Sequence, residues 1–138
     1  HGALYNLITS DNNAAKNFVN TIKKYTKNVF LYVPYNSEIE KVALQNNIKI
    51  KYEAFGDRNY NNDLTLVSRM KENSVITNTE EVFHHMYKMF SDGEVNTIFN
   101  LQKLIKADTF CIHGDNENAL TILQYLFEEF TKKGIEIG

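Results

Sequence analysis

Apolar and polar positions change their spacing several times along the 138 residues, and each change predicts a new element. Ala14, Ala15, Phe18, Val19, Ile22 and Tyr25 recur at helical intervals behind the cap-competent Ser10-Asp11-Asn12, which predicts an amphipathic helix over about Asp11 to Thr26. The preceding His1-Gly2-Ala3-Leu4-Tyr5-Asn6 reads as a loop. Val29 to Val33 is a continuous apolar run halted by Pro34, the pattern of a central parallel strand covered on both faces. Ser37 with Glu40 three residues on forms a capping box, so a second helix starts there, turns Ile39, Val42 and Ala43 inward and ends near Asn46-Asn47. Ile48, Ile50, Tyr52 and Ala54 alternate with polar residues, giving a strand that runs into Phe55 and breaks at Gly56.

Beyond a polar stretch from Asn61 to Asn73, Ser74 to Thr77 reads as a brief strand or extended segment. Thr77 or Thr79 then caps a helix with a buried stripe of Val82, Phe83, Met86, Met89 and Phe90, ended by Gly93. Glu94 to Ala107 carries both strand and helix spacings, with a hairpin favoured. Thr109 to Ile112 is a short buried strand leading into His113-Gly114-Asp115. A long helix follows, with Ala119, Leu120, Leu123, Leu126, Phe127 and Phe130 on one face, Lys132-Lys133 at its negative end and Gly134 as its stop. Ile135 to Ile137 is expected to add a final strand. Helices intervening between buried strands predict an α/β fold with a parallel sheet, open or closed into a barrel, within a single domain spanning 1–138.

Composition narrows the function more by exclusion than by assignment. The net charge is −2 with both signs interspersed, so the chain lacks the basic footprint expected of a nucleic-acid partner. No apolar run approaches the roughly 20 residues of a membrane span, and no leader opens the sequence, so a soluble, cytoplasmic protein is expected. Cys111 is the only cysteine, which excludes an internal disulfide and multi-cysteine metal motifs.

Ligands of parallel α/β folds sit at the carboxyl ends of strands, where three polar clusters are expected. His113-Gly114-Asp115 combines a titratable imidazole, a glycine that admits close approach and a carboxylate before a helix, suited to proton transfer. The competing reading has Asp115 capping the helix and His113 bonded to a loop carbonyl. Asp57-Arg58 can bind a carboxylate or phosphate through the guanidinium, with Asp57 as base, or can form an internal salt bridge. His1 has the weakest independent case, since a terminal histidine is ordinarily exposed. The adjacent His84 and His85 diverge by about 100° on a helix and read as partly exposed structural residues. Cys111 reads as a small apolar residue, and Tyr5 and Tyr60 as either pocket lining or packing. Neither GxGxxG nor GxxxxGK[ST] is present.

Taken together, HGALYN at the start, AFGDRNYNNDLTLVSR from Ala54 to Arg69 and DTFCIHGDNENAL from Asp108 to Leu120 resemble the LamB/YcsF family over essentially the whole chain. The resemblance implies a parallel (β/α) barrel of the glycoside hydrolase/deacetylase type, incomplete in this chain. It implies cleavage of 5-oxo-L-proline to L-glutamate coupled to hydrolysis of ATP, alongside 5-oxoprolinase subunits B and C. By motif it carries over His1, Tyr5, Asn6, Asp57, Arg58, Tyr60, Arg69, His113, Gly114 and Asp115. Among these, Arg58 or Arg69 is expected to hold the substrate carboxylate, His113 or Asp57 to move a proton, and Asp115 to orient. Ser68 and Asn116-Glu117-Asn118 depart from the family pattern and are expected to loosen their loops. The family's first strand has no counterpart here, so the chain reads as the back part of a barrel, inactive alone. Two other expectations stand beside this one: a non-catalytic interaction module that self-associates, tested by solution mass, and a metal-dependent deacetylase-like hydrolase.

Overall fold

In the computed structural model, which describes residues 2–26 and 28–138, five α-helices and five strands follow one another as α1 (Ala3–Ser10), α2 (Asn12–Ile22), β1 (Leu31–Val33), α3 (Glu38–Gln45), β2 (Ile50–Phe55), α4 (Thr79–Ser91), β3 (Glu94–Asn96), β4 (Gln102–Leu104), β5 (Thr109–Cys111) and α5 (Ala119–Lys132). A 3₁₀ turn, Lys23–Tyr25, extends α2. The strands form a three-stranded sheet in the order β1-β2-β5 and a two-stranded sheet of β3 with β4. β1 and β2 are parallel, with Leu31 opposite Ile50 and Val33 opposite Tyr52. This is the α/β architecture with a parallel sheet that the alternation predicts; the three strands do not make a closed barrel. Among the described residues, no helix is long and apolar enough to cross a membrane.

The chain divides into two compact units, one of residues 1–54 and 107–109, the other of residues 55–106 and 110–138. In the first, the core is Ile8, Ala15, Val19, Val33, Ile39, Val42, Ala43 and Ile48, drawn from α1, α2, β1, α3 and the loop that follows α3. Two caps fix the helices as expected. The Asp11 carboxylate accepts from the Ala14 N–H, and the Ser37 hydroxyl accepts from the Glu40 N–H. Glu40 is itself buried, and its carboxylate accepts from the Tyr52 hydroxyl at 2.7 Å and from the Asn36 N–H. Burial and that neighbouring carboxylate push the Tyr52 hydroxyl up to about 12.

Two expectations fail in this unit. Ala3–Ser10 is a helix and not a loop, because Leu4, Leu7 and Ile8 supply the apolar spacing that the HGALYN motif had masked. β1 lies at an edge of its sheet, with Tyr32 53% exposed and only Val33 sealed, so the continuous apolar run does not signal cover on both faces.

The second unit packs α4 against α5. Phe130 meets the Phe83 ring edge-on at 5.3 Å, and Val82, Met86 and Met89 complete the buried face of α4. Asn78, and neither of the threonines beside it, caps α4 by accepting from the Glu81 N–H. Phe90, expected inside, is half exposed. The Glu94 to Ala107 segment is an antiparallel hairpin, with Glu94 opposite Leu104. β5 is only partly buried along its length, Cys111 included.

On α5 the buried residues are Ile122, Leu126 and Phe130, whereas Leu120, Leu123 and Phe127 are exposed. Apolar residues cover more than half of this helix's circumference, so spacing alone does not select the packed stripe. Gly134 ends α5 at φ +72°, as expected, but Ile135 to Ile137 form no strand.

Candidate active site

Asp57 and His113 leave β2 and β5, which are neighbours in the three-stranded sheet. The Gly56 N–H donates to the Cys111 carbonyl at 3.0 Å, tying the two exits together. A Cβ at Gly56 would fall 2.8 Å from Ile112 Cδ1 and closer still to Met86 of α4, so those two side chains would have to shift to admit one.

Asp57 is fully buried, and both its oxygens are committed. Oδ1 faces His113 Nδ1 at 2.8 Å. Oδ2 accepts from the His113 backbone N–H at 3.0 Å and from Asn116 Nδ2 at 3.1 Å. A carboxylate only accepts, so the facing Nδ1 carries a proton. The Phe55 ring stacks on the imidazole at 5.4 Å and 15°, fixing its plane. Carboxylate, backbone and aromatic face together hold His113 in one tautomer and one orientation. Asp57 therefore pairs with His113 and not, as the competing reading required, with Arg58.

Asn116 is the anchor that sequence reasoning missed. It is buried, its Nδ2 donates also to the Ile76 carbonyl at 3.0 Å, and its Oδ1 accepts from the Asn118 N–H at 3.1 Å. Asn118 Nδ2 reaches the Thr77 carbonyl at 3.1 Å. The Asn116-Glu117-Asn118 stretch, expected to loosen its loop, is instead tied down through its two asparagine amides. Abundant asparagine elsewhere in the chain hid this signal.

The two arginines behave differently. Arg58 is buried, with Nε donating to the Ser74 carbonyl at 3.0 Å and Nη2 to the Val67 carbonyl at 2.6 Å, so its fork braces the loop between residues 67 and 74. Burial, then the charge of Arg69, lowers its pKa. Arg69 lies on the surface and grips Asp115 with both terminal nitrogens, Nη2 to Oδ1 at 3.2 Å and Nη1 on Oδ2. That hydrogen bond holds the Asp115 carboxyl below its usual range and raises Arg69. Asp115 consequently does not cap α5; Asn118 occupies the N-cap position without a side-chain bond to the helix. Gly114, between His113 and Asp115, is exposed, with open space where a Cβ would stand.

The Tyr60 hydroxyl accepts from the Phe55 N–H at 2.8 Å, closing the turn that carries Asp57. Behind it the His85 ring stacks on Tyr60 at 6.0 Å. The expected divergence of the two histidines holds, with His84 exposed and edge-on to Phe83 and His85 half-buried. Burial pushes its pKa down to about 4, opposed by hydrogen bonding to the Arg58 and Phe55 backbone and by the Asp57 charge, so the ring is neutral at pH 7. Sequence spacing carried no sign of this, since only the α4 packing at Gly56 brings His85 to the turn.

In the first unit, Tyr5 lies on α1 and its hydroxyl donates to the buried Glu53 at 2.7 Å, while Asn6 is exposed on the same helix. His1 lies outside the described residues. Among the described residues, no group of three or more His, Cys, Asp or Glu side chains is arranged to hold a metal ion.

The family model described as the LamB/YcsF family matches residues 1–138. Similar proteins include the A subunit of 5-oxoprolinase from Thermococcus sibiricus, 37% identical over 137 residues, and its counterpart of the same name from Bacillus cereus, 36% identical over 138 residues. Each alignment covers 99% of this chain and 54% of the relative, so the chain spans about half the length of these proteins. Among solved structures, the lactam utilization protein from Thermus thermophilus superposes with a TM-score of 0.88 at 28% identity, over 99% of this chain and 54% of that one.

Proposed function

This chain belongs to the LamB/YcsF family, and from that premise we propose that it supplies part of the active site of an ATP-dependent 5-oxoprolinase, opening 5-oxo-L-proline to L-glutamate. The observation that carries the reading is the Asp57–His113 pair, with Nδ1 fixed on a buried carboxylate. A lactam resists hydrolysis because its amide resonance must be lost. ATP, as co-substrate, supplies the activation of the carbonyl side. His113 Nε2 takes a proton from attacking water and returns one to the departing ring nitrogen, while Asp57 stabilises the imidazolium formed between the two transfers.

Arg69 is the better fit for the substrate carboxylate. Its fork already grips a carboxylate, that of Asp115, on an exposed surface where exchange costs little, whereas Arg58 is buried with Nε and Nη2 on loop carbonyls. Tyr60 and Arg58 shape the turn and Gly114 leaves room beside His113. On this reading the activity belongs to a cytoplasmic complex with 5-oxoprolinase subunits B and C. These 138 residues correspond to about half of the relatives' length and contribute to turnover only together with the rest of the family's chain.

The test is ATP-dependent glutamate release from 5-oxo-L-proline by the intact gene product with its partner subunits. His113→Ala is expected to lower turnover by about 10²- to 10⁴-fold, the range of a general acid–base group. Turnover equal to wild type in that variant would overturn the proposal.

A further inference from the structure

We propose that Asp115 sets the ligand specificity of the Asp57–His113 site: it fills the fork of Arg69 while the site is free, so that only a lactam bearing its own carboxylate replaces it and gains from that fork. The inference rests on the 5-oxo-L-proline reading above and names what makes the site selective.

The pair is placed by the fold. Asp115 stands two residues beyond His113, in a turn closed by the Asn116 N–H donating to the His113 carbonyl at 3.1 Å. Arg69 extends from a loop that Arg58 holds on both sides, through the Val67 and Ser74 carbonyls. Both backbones are thus anchored, and both side chains are exposed. Trading Asp115 for a ligand carboxylate needs only rotation of one solvated side chain, with no change in either loop.

Folding does not explain the contact. An exposed pair adds little to stability, yet this one is bidentate and joins residues 46 positions apart. The surrounding charges do explain it. Each partner's pKa is moved first by the hydrogen bond between them, and behind that bond Arg69 feels Asp57 and Asp115 feels His113. Burial and then the charge of Arg69 lower the pKa of Arg58, so the two guanidinium groups are near neighbours. Asp57 is already committed to His113 and Asn116. When Asp115 turns away, Arg69 faces the charge of Arg58 with its fork empty, and a carboxylate from solution restores the balance.

A ligand carboxylate seated in that fork takes the place of the Asp115 group, two residues from the imidazole, with the open space at Gly114 between them. That brings the ring of a small lactam towards His113. A lactam without a carboxylate leaves the Arg69–Asp115 pair intact and is held by its ring alone.

The test is calorimetric titration of the intact gene product, with its partner subunits, against 5-oxo-L-proline and against 2-pyrrolidinone, the same lactam without the carboxylate. Asp115→Asn is expected to bind 5-oxo-L-proline about fivefold more tightly than wild type, the factor that an exposed ion pair can withhold, and 2-pyrrolidinone unchanged. Asp115→Ala should act in the same direction. Glu117→Gln removes an equal charge two residues on, outside the contacts of Arg69, and should leave both affinities at wild type. In an Arg69→Ala background the gain from Asp115→Asn should vanish.

An affinity for 5-oxo-L-proline that stays equal or falls in Asp115→Asn, or a gain matched by Glu117→Gln, overturns the role of Asp115 and leaves the readings of His113 and Arg69 standing. A gain that survives in Arg69→Ala overturns it too. Failure of the wild-type complex to bind 5-oxo-L-proline overturns that reading and this inference with it.

Discussion

Asp57 with His113 and Asp115 with Arg69 are two carboxylate pairs in the same unit, built from neighbouring stretches of chain and opposite in character. Asp57 is fully buried, and the imidazole, the His113 N–H and the Asn116 amide converge on it while the stacked Phe55 fixes the ring. Asp115 and Arg69 stand in solvent, their side chains 64% and 46% exposed, joined to one another by the contacts described. A sealed pair fixes geometry because breaking it strands polar groups in a low dielectric. An exposed pair is nearly isoenergetic with its separated, hydrated partners and can be traded for a ligand. One fixes an imidazole in place; the other can be exchanged.

The contrast breaks most visibly at Asp57. Asp57→Ala leaves His113 and Asn116 without their acceptor and is expected to cost about 3–5 kcal/mol of stability, read by denaturant unfolding. A cost below about 1 kcal/mol would mean the buried network is not what holds the turn.

His85 sharpens the same side through pH. Its folded pKa, about 4, lies below the ordinary histidine value, so the unfolded chain takes up a proton first as pH falls. Its contribution is whole above about pH 6.5 and is lost between there and about pH 4, on the order of 3 kcal/mol. The unfolding free energy of wild type minus that of His85→Gln should follow this course; a difference flat with pH would contradict the burial of the ring.

Asn116→Ala removes one donor to Asp57 and one to Ile76 and is expected to cost about 1–3 kcal/mol. Differential unfolding would show it, together with weaker orientation of His113.

The smallest effect on stability belongs to the exposed pair. Arg69→Ala should change it by about 0–1 kcal/mol while raising KM for 5-oxo-L-proline with kcat less affected. A stability loss as large as that of Asp57→Ala would erase the distinction between the two pairs.

Two helices show what was legible. α3 combined a capping box with a narrow apolar face, and Ser37, Ile39, Val42 and Ala43 stand as expected. α5 was found at the right place, but its packed stripe is Ile122, Leu126 and Phe130, with Leu120, Leu123 and Phe127 facing out. Local chemistry decides where a helix starts and stops. Which side of a broadly apolar helix is buried depends on the neighbour, here Phe83 of α4 meeting Phe130.

The site divides in the same way. HGD and GDR were visible as strand-exit clusters because glycine breaks and charged residues interrupt apolar runs within a few positions. Sequence by itself determined the alternation of helix and strand, most of the caps, the hairpin and the identity of most polar groups, since all of these follow from spacings shorter than a helical turn or two. Only the tertiary structure decided that Asp57 pairs with His113 rather than Arg58, that Asp115 serves Arg69 rather than a helix end, and that Asn116 and His85 belong with them. His113 and Asn116 lie 56 and 59 residues from Asp57 along the chain, and Asp115 lies 46 from Arg69. No local rule spans such separations, because spacing and capping act only between residues a few positions apart.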